Sequence, residues 1–528
     1  MVLRNSLLWL FLFVLVFTGS VSAAVPAVDP GWEQIASGIE YQKYQLPDPN
    51  NVFVVRMYRI NTGVTLDSSI AQGKLAEGKE TVSGMYARYD QALNFWGGAW
   101  GMRNQVVVAI NGSYYDLGSG IPQGGQVQSG WYAKRFGDLG GWSGFAWMLD
   151  RSAFIGECVY HRPEKQLITY SVTANTQQIT DINKARGADE LIIFTPQYNS
   201  QTGTDNSGVE VLVEMNRPTM ILPAPAYASG IVRQIHNGEV KGNSLIPFNS
   251  IVLSASGTAA QTLLENVQVG SEIRISQEIT SYKDDCSTPL PLSWTKTYAS
   301  IQGAFFFLRD GQIRDFDDPG ATNRNPRTAI AFNDQYIYFI VVDGRNFHHS
   351  VGMTINELAV FARDVLGATS GVAQDGGGSS TMVINGLVVN NTYCNIYSCH
   401  WNYTAYIPLV GRYSQKGQSV PIASDIITSP AGIERAVANG MLMVIAQPGV
   451  YSTTFTPGDP VTIISDTEVR LGPGTNYASF SIVPTGTHGS IVDQMNGLDG
   501  VLAKSTYWWY VNFGGVIGWV PEGALANR

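Results

Sequence analysis

The 528-residue chain is short of charge: Asp, Glu, Lys and Arg make up 14% of it, against 44% hydrophobic residues. That balance excludes an intrinsically disordered chain, which needs high charge and few apolar side chains. Basic residues are the scarcer sign, 33 Lys and Arg against 42 Asp and Glu, and they form no cluster. With a net charge of −9, the chain is not expected to bind nucleic acid, since that needs basic side chains to neutralise phosphates. Histidine numbers 6 and cysteine 4, with no C-x-x-C or His-x-His spacing, so a zinc site is not expected. Beyond the first residues, no apolar run reaches the roughly 20 residues that cross a bilayer, and no stable membrane span is expected after leader removal. Sustained helical periodicity is also rare.

Glycine is abundant, at 56 residues, and it punctuates many short apolar runs. Val52 to Tyr58, Gln105 to Ile110, Glu210 to Val213, Thr328 to Phe332 and Tyr336 to Val342 read as strands. Thr354 to Leu366 reads as the clearest helix, with Thr354 as N-cap, Glu357 three residues on and Gly367 as the stop. A second helix is expected around Ser83 to Trp96, and a short one at Gly432 to Asn439. The fold class is therefore α+β with sheets prevailing. Met1 to Ala23 has the form of a secretory leader: Arg4, an apolar run from Leu7 to Phe17, then Val21-Ser22-Ala23 as cleavage site. A secreted or cell-envelope protein follows, and four cysteines suit an oxidising compartment. Sequence leaves three pairings open, with Cys158–Cys286 and Cys394–Cys399 the expected set, because the latter closes a short loop. Asn390-Asn391-Thr392 and Asn402-Tyr403-Thr404 are glycosylation sequons that would act in a eukaryotic secretory pathway.

Four polar clusters sit where strands end. Asn111-Gly112-Ser113-Tyr114 follows one strand; Asn can donate to and accept from a hydroxyl, and Tyr offers a stacking face. Arg327-Thr328 opens another, and a guanidinium can clamp a phosphate at two points. Asp343-Gly344-Arg345 ends a third, followed by loop histidines at His348 and His349. The fourth is Asp375-Gly376-Gly377-Gly378-Ser379-Ser380-Thr381, where a carboxylate, backbone donors and hydroxyls share one tight turn. Such a turn suits an oxyanion, a phosphate or a sugar.

Together these clusters resemble, in content and order, the phosphodiester glycosidase family. These are the relatives of the lysosomal enzyme that removes N-acetylglucosamine from a mannose-phosphate diester. The resemblance spans roughly residues 30 to 412. It departs at Asn-Gly-Ser-Tyr-Tyr and across a long stretch from about Gly124 to Lys296 with few landmarks. Residues 458–528, with Glu468 to Tyr477, Tyr507 to Val511 and Gly515 to Pro521, resemble the bacterial SH3-like family, a small all-β barrel that would take a cell-wall ligand or act as a tether. Residues 413–457 read as a linker.

The first resemblance implies a hydrolase that cleaves a sugar from a glycosyl phosphodiester or related glycan. Its leaving group is already a weak base, so a general acid matters less than in ordinary glycoside hydrolysis. Arg327 and Arg345 would hold the diester, and Asp375, then Asp343, would activate water or attack the anomeric carbon. Asn111, Gly112, Tyr114, Thr328, Gly344, Gly376, Gly377, Gly378, Ser379 and Ser380 would line the substrate. The sequence marks no definite cofactor; Asp343 and Asp375 could ligate a divalent cation such as calcium, although no full ligand set is evident. The rival readings are an ordinary glycosidase acting on exopolysaccharide and a non-catalytic glycan-binding envelope protein.

Overall fold

In a computed structural model, residues 31–528 are described apart from 48–49, 90, 97–98, 138–142, 217–227, 239–241, 284, 291–293, 304, 347–348, 393–433, 449–451, 494–499 and 504. The leader, Cys394, Cys399, His348 and the Asn402 sequon lie outside the described residues.

The central element is an eight-stranded antiparallel sheet in the order Glu33–Ala36, Ile39–Leu46, Asn50–Tyr58, Tyr336–Val342, Arg327–Phe332, Ser370–Ala373, Phe306–Arg309, Gln312–Ile313. Its middle strands read as unbroken apolar runs because both faces are covered. Phe53, Val55, Met57, Ile330, Phe339 and Val341 point into one core, while Val52, Val54, Ala329, Ala331, Ile340 and Val342 point into another. The second core is closed by the helix Ile355–Val360 and its continuation Phe361–Val365, which bury Ile355, Leu358, Phe361 and Ala362. The helix begins as expected: Thr354 and Glu357 form a complete capping box.

The first core is shared with a second sheet, in the order Leu387–Val388, Met382–Ile384, Ala99–Asn111, Asn439–Pro448, Val64–Ile70. Three expectations change here. Asn439–Pro448, read as linker, is an interior strand between Val64–Ile70 and Ala99–Asn111. Its apolar Met441 to Val444 are fully buried, which a linker would not be. In place of a helix, Val437 bridges Glu80 and leads into that strand. Likewise the expected helix at Ser83 to Trp96 is only Val82–Arg88, and Gln91–Trp96 folds back as a strand on Ala99–Asn111.

The stretch with few landmarks builds a six-stranded sheet of segments from Gln126 to Gln302 and an eight-stranded sheet from Leu167 to Ser276. The expected Cys158–Cys286 disulfide is present and closes a 128-residue separation across it. The C-terminal unit is all-β, with Val461, Ile463, Trp509, Val511, Phe513 and Val520 in its core. Trp508 and Trp519 pack instead on Phe248 of the large unit. Among the described residues no helix is long and apolar enough to cross a membrane.

Candidate functional site

The pairing register gathers four strand ends in one place. Arg327 is opposite Val342 and Ala329 opposite Ala373, so Arg327, Asp343 and Asp375 emerge at the same edge of the central sheet. Met382 pairs with Ile110 in the facing sheet, which brings Asn111 and the glycine turn there too.

Asn111 is fully buried and fastens the sheets together. Its Nδ2 donates to the Asp375 carbonyl at 2.7 Å, and its Oδ1 accepts from Thr328 Oγ1 at 2.7 Å and from Thr381 N at 3.1 Å. Those bonds give Asn111 and Thr328 a structural role in joining the strand ends. Gly112 is demanded by packing: a Cβ there would come within 2.4 Å of Asn439 Oδ1 and Ile301 Cδ1. Gly344 is likewise hemmed in by Pro326, 2.6 Å from where a Cβ would stand.

The glycine turn serves its own carboxylate more than a ligand. Gly376 N donates to the Asp375 carboxylate, and Gly377 N donates to the Pro326 carbonyl at 2.9 Å. Gly377 has φ of +63°, a conformation that an L side chain rarely takes. Gly377, Gly378 and Ser379 form one buried 3₁₀ turn that brings Ser379 Oγ to Asp375 Oδ2, to which it donates at 2.6 Å. The Ser380 and Thr381 hydroxyls beside it are buried with no partner among the described residues.

Asp375 is almost wholly buried, and burial pushes its carboxyl up to about 6. The opposing influences are the Ser379 hydrogen bond, then the positive charges of Arg435 and Arg345 and the Gly376 amide. Tyr114 is 36% exposed; burial raises its phenol, the Asp375 charge reinforces that and Arg327 opposes it. Asp343 is pushed further, to about 7, again by burial first. Asn390 Nδ2, Asn391 N and Asn391 Nδ2 donate to it at 3.2, 3.0 and 3.2 Å without offsetting that effect. Lys43 acts on Asp343, whereas Arg435 and Arg345 act on Asp375, so each carboxylate has its own electrostatic surroundings. Asn390 links them, donating to the Ser380 carbonyl at 3.0 Å as well as to Asp343. The sequon asparagine is thus 1% exposed and carries the framework, not a glycan.

Arg327 departs most from its expected role. Its Nε donates to the Met353 carbonyl at 2.8 Å, Nη1 to Gly320 at 2.8 Å, and Nη2 to Asn323 at 2.6 Å and Ala321 at 3.4 Å. A guanidinium so committed, with burial drawing its pKa down to about 10, ties loops together and is not a clamp. Arg345 binds Asn325 Oδ1 through Nε and Nη2 at 3.2 and 3.0 Å, and its guanidinium lies over Gly377. His349 is an exposed loop residue.

Three participants went unread in the sequence: Asn390 and Asn391, seen only as a sequon, and Arg435, which lay in the presumed linker. Arg435 Nη1 donates to Ser379 Oγ at 3.2 Å. Among the described residues, no cluster of three His, Cys, Asp or Glu side chains is built to hold a metal ion. Both Asp343 carboxyl oxygens accept N–H donors, from Asn390 and Asn391. Cavities of about 710 Å³, beside Lys283 and Arg309, and about 1040 Å³, beside Arg233 and Tyr510, are lined by other residues.

Residues 228–403 match the model of a family described as phosphodiester glycosidase. That span contains Arg327, Asp343, Arg345, Asp375 and the glycine turn, and stops short of Arg435. No curated protein matches the chain. Among solved structures, the chain is similar to a hypothetical protein from Synechocystis at 14% identity and TM-score 0.47, covering 77% of this chain and 62% of that one. It is similar to a protein described as exported from Burkholderia pseudomallei at 18% identity and TM-score 0.44, covering 75% and 74%. It is also similar to the catalytic domain of zebrafish N-acetylglucosamine-1-phosphodiester alpha-N-acetylglucosaminidase, auto-inhibited by its pro-peptide, at 12% identity and TM-score 0.34, covering 80% and 85%. The chain thus spans less than two thirds of the Synechocystis protein's length.

Proposed function

We propose that this chain is a secreted hydrolase that releases a sugar from a glycosyl phosphodiester. The observation that carries the reading is Asp375: a buried carboxylate at a strand end, held by Ser379 and influenced by the charges of Arg435 and Arg345, inside the segment that matches the phosphodiester glycosidase family model. The bond fits that equipment. A phosphate monoester departs as a weak base, so the chief needs are a carboxylate at the anomeric carbon and positive charge near the diester. Asp375, ionised above about pH 6, acts as base or nucleophile, Ser379 keeps its Oδ2 in place, and Arg345 adds positive charge. Asp343, protonated up to about pH 7, is suited to hold a neutral carboxyl beside the sugar. Secretion rests on the leader-like Met1 to Ala23 and on the Cys158–Cys286 disulfide. The C-terminal unit, SH3-like in sequence, has Trp508 and Trp519 buried against Phe248, so a wall ligand would have to use another face.

The test is turnover by the full chain on an alkyl glycosyl phosphodiester and on the p-nitrophenyl glycoside of the same sugar. Wild type is expected to prefer the diester, and Asp375→Asn to reduce turnover by about 100-fold or more. Equal turnover by Asp375→Asn, or no hydrolysis of either substrate across a panel of sugars, would sink the reading.

A further inference from the structure

If the site takes a glycosyl phosphate, something must hold the anion, and the two residues expected to do so, Arg327 and Arg345, direct donors elsewhere. Arg327 gives its donors to four backbone carbonyls. Arg345 directs Nε and Nη2 to Asn325. Arg435 differs from both. It forms no ion pair among the described residues, its Nη1 shares the Ser379 hydroxyl, and its Nε is buried with no acceptor. A buried N–H on a charged group is costly to leave without a partner, so an acceptor belongs there.

The chain holds Arg435 firmly. Glu434 before it accepts from Ser83 N at 2.9 Å and from the Ser83 hydroxyl. The Ala436 carbonyl after it accepts from Tyr115 Oη at 2.9 Å, and Val437 exchanges backbone hydrogen bonds with Glu80 at 2.9 and 2.8 Å. A surface arginine would have no need of such bracing. The position of the charge agrees, since Arg435 opposes the upward push on both Asp375 and Tyr115.

We propose that Arg435, outside the segment that matches the family model, is the anion-binding residue of this site. Its guanidinium meets the non-bridging oxygens of a sugar phosphate while Nη1 steadies Ser379 against Asp375. The inference rests on the reading of the site as one for glycosyl phosphates, and its test does not depend on turnover. Full-length protein is titrated calorimetrically with inorganic phosphate and with glucose 1-phosphate. Wild type is expected to bind, and Arg435→Gln to bind about 10-fold or more weakly, the loss of one charge-assisted hydrogen bond. Arg324→Gln, which breaks a surface pair with Glu357, is expected to bind as wild type does. If Arg435→Gln does not fold, Arg435→Lys carries the test: it keeps the charge, lacks the two-point fork, and should bind measurably more weakly. Equal binding by wild type and a folded Arg435 variant, or no binding by wild type, overturns the proposal. Arg435-dependent binding without hydrolysis of any substrate would leave this inference standing and remove the proposed activity.

Discussion

The side chains around Asp375 and Asp343 divide into those that hold the site together and those left with chemistry to do. Asn111, Thr328, Arg327, Gly112 and Gly344 were legible as site residues from their place at strand ends, yet the structure uses them as fastenings. A sequence pattern marks such positions but does not reveal which partner takes each donor. The two carboxyls carry a pH signature. Each binds its proton more tightly folded than unfolded, so each contributes stability that is fully present below the ordinary carboxylate range. That contribution is lost as pH rises through about 6 for Asp375 and about 7 for Asp343. Thermal melts of wild type and Asp343→Asn from pH 4 to 8 are therefore expected to show the variant gaining on wild type up to about pH 7 and level above it. A variant that keeps a constant offset from wild type, or loses ground to it, over that range would mean that Asp343 is not held protonated. Activity, where Asp375 must be ionised, is expected to rise along an acid limb near pH 6.

At the scale of elements, the helix after Thr354 was readable because its start signal is local. Thr354 Oγ1 accepts from Glu357 N at 3.0 Å, and Glu357 Oε2 accepts from Thr354 N at 2.8 Å. Thr354→Ala is expected to cost about 1 kcal/mol in urea denaturation, with Glu357 still able to pair with Arg324. No change in the denaturation midpoint would indicate that the helix is held by packing alone. The misread elements lacked such a signal. Gln91–Trp96 became a strand because Ala99–Asn111 offers it a ladder, and residues 439–448 because two edges wait on either side. Tertiary pairing overrides local propensity in short segments of this kind.

For the whole molecule, the interior strand Asn439–Pro448 makes the polypeptide beyond residue 412 part of the large unit. A chain cut at residue 412 is expected to be insoluble or unfolded by circular dichroism, because the cut exposes Val64–Ile70 and Ala99–Asn111 along open edges. A soluble, cooperatively melting product would contradict that. The C-terminal unit is joined through Phe248, whose ring lies 5.6 Å from Trp519 and 5.8 Å from Tyr477. Phe248→Ala is expected to cost about 3 kcal/mol and to separate calorimetric unfolding into two transitions. A single unshifted transition would mean that the contact is incidental. By itself the sequence determined the sheet-dominated class and the capped helix, because composition, short-range spacing and turn chemistry are properties of adjacent residues. Only the tertiary structure decided that Arg327 is a strut, that Asn390 steadies Asp343, and that Arg435 reaches Ser379. Those roles depend on which donors meet which acceptors across 26, 47 and 56 residues of chain, and that is settled only when the sheets pack.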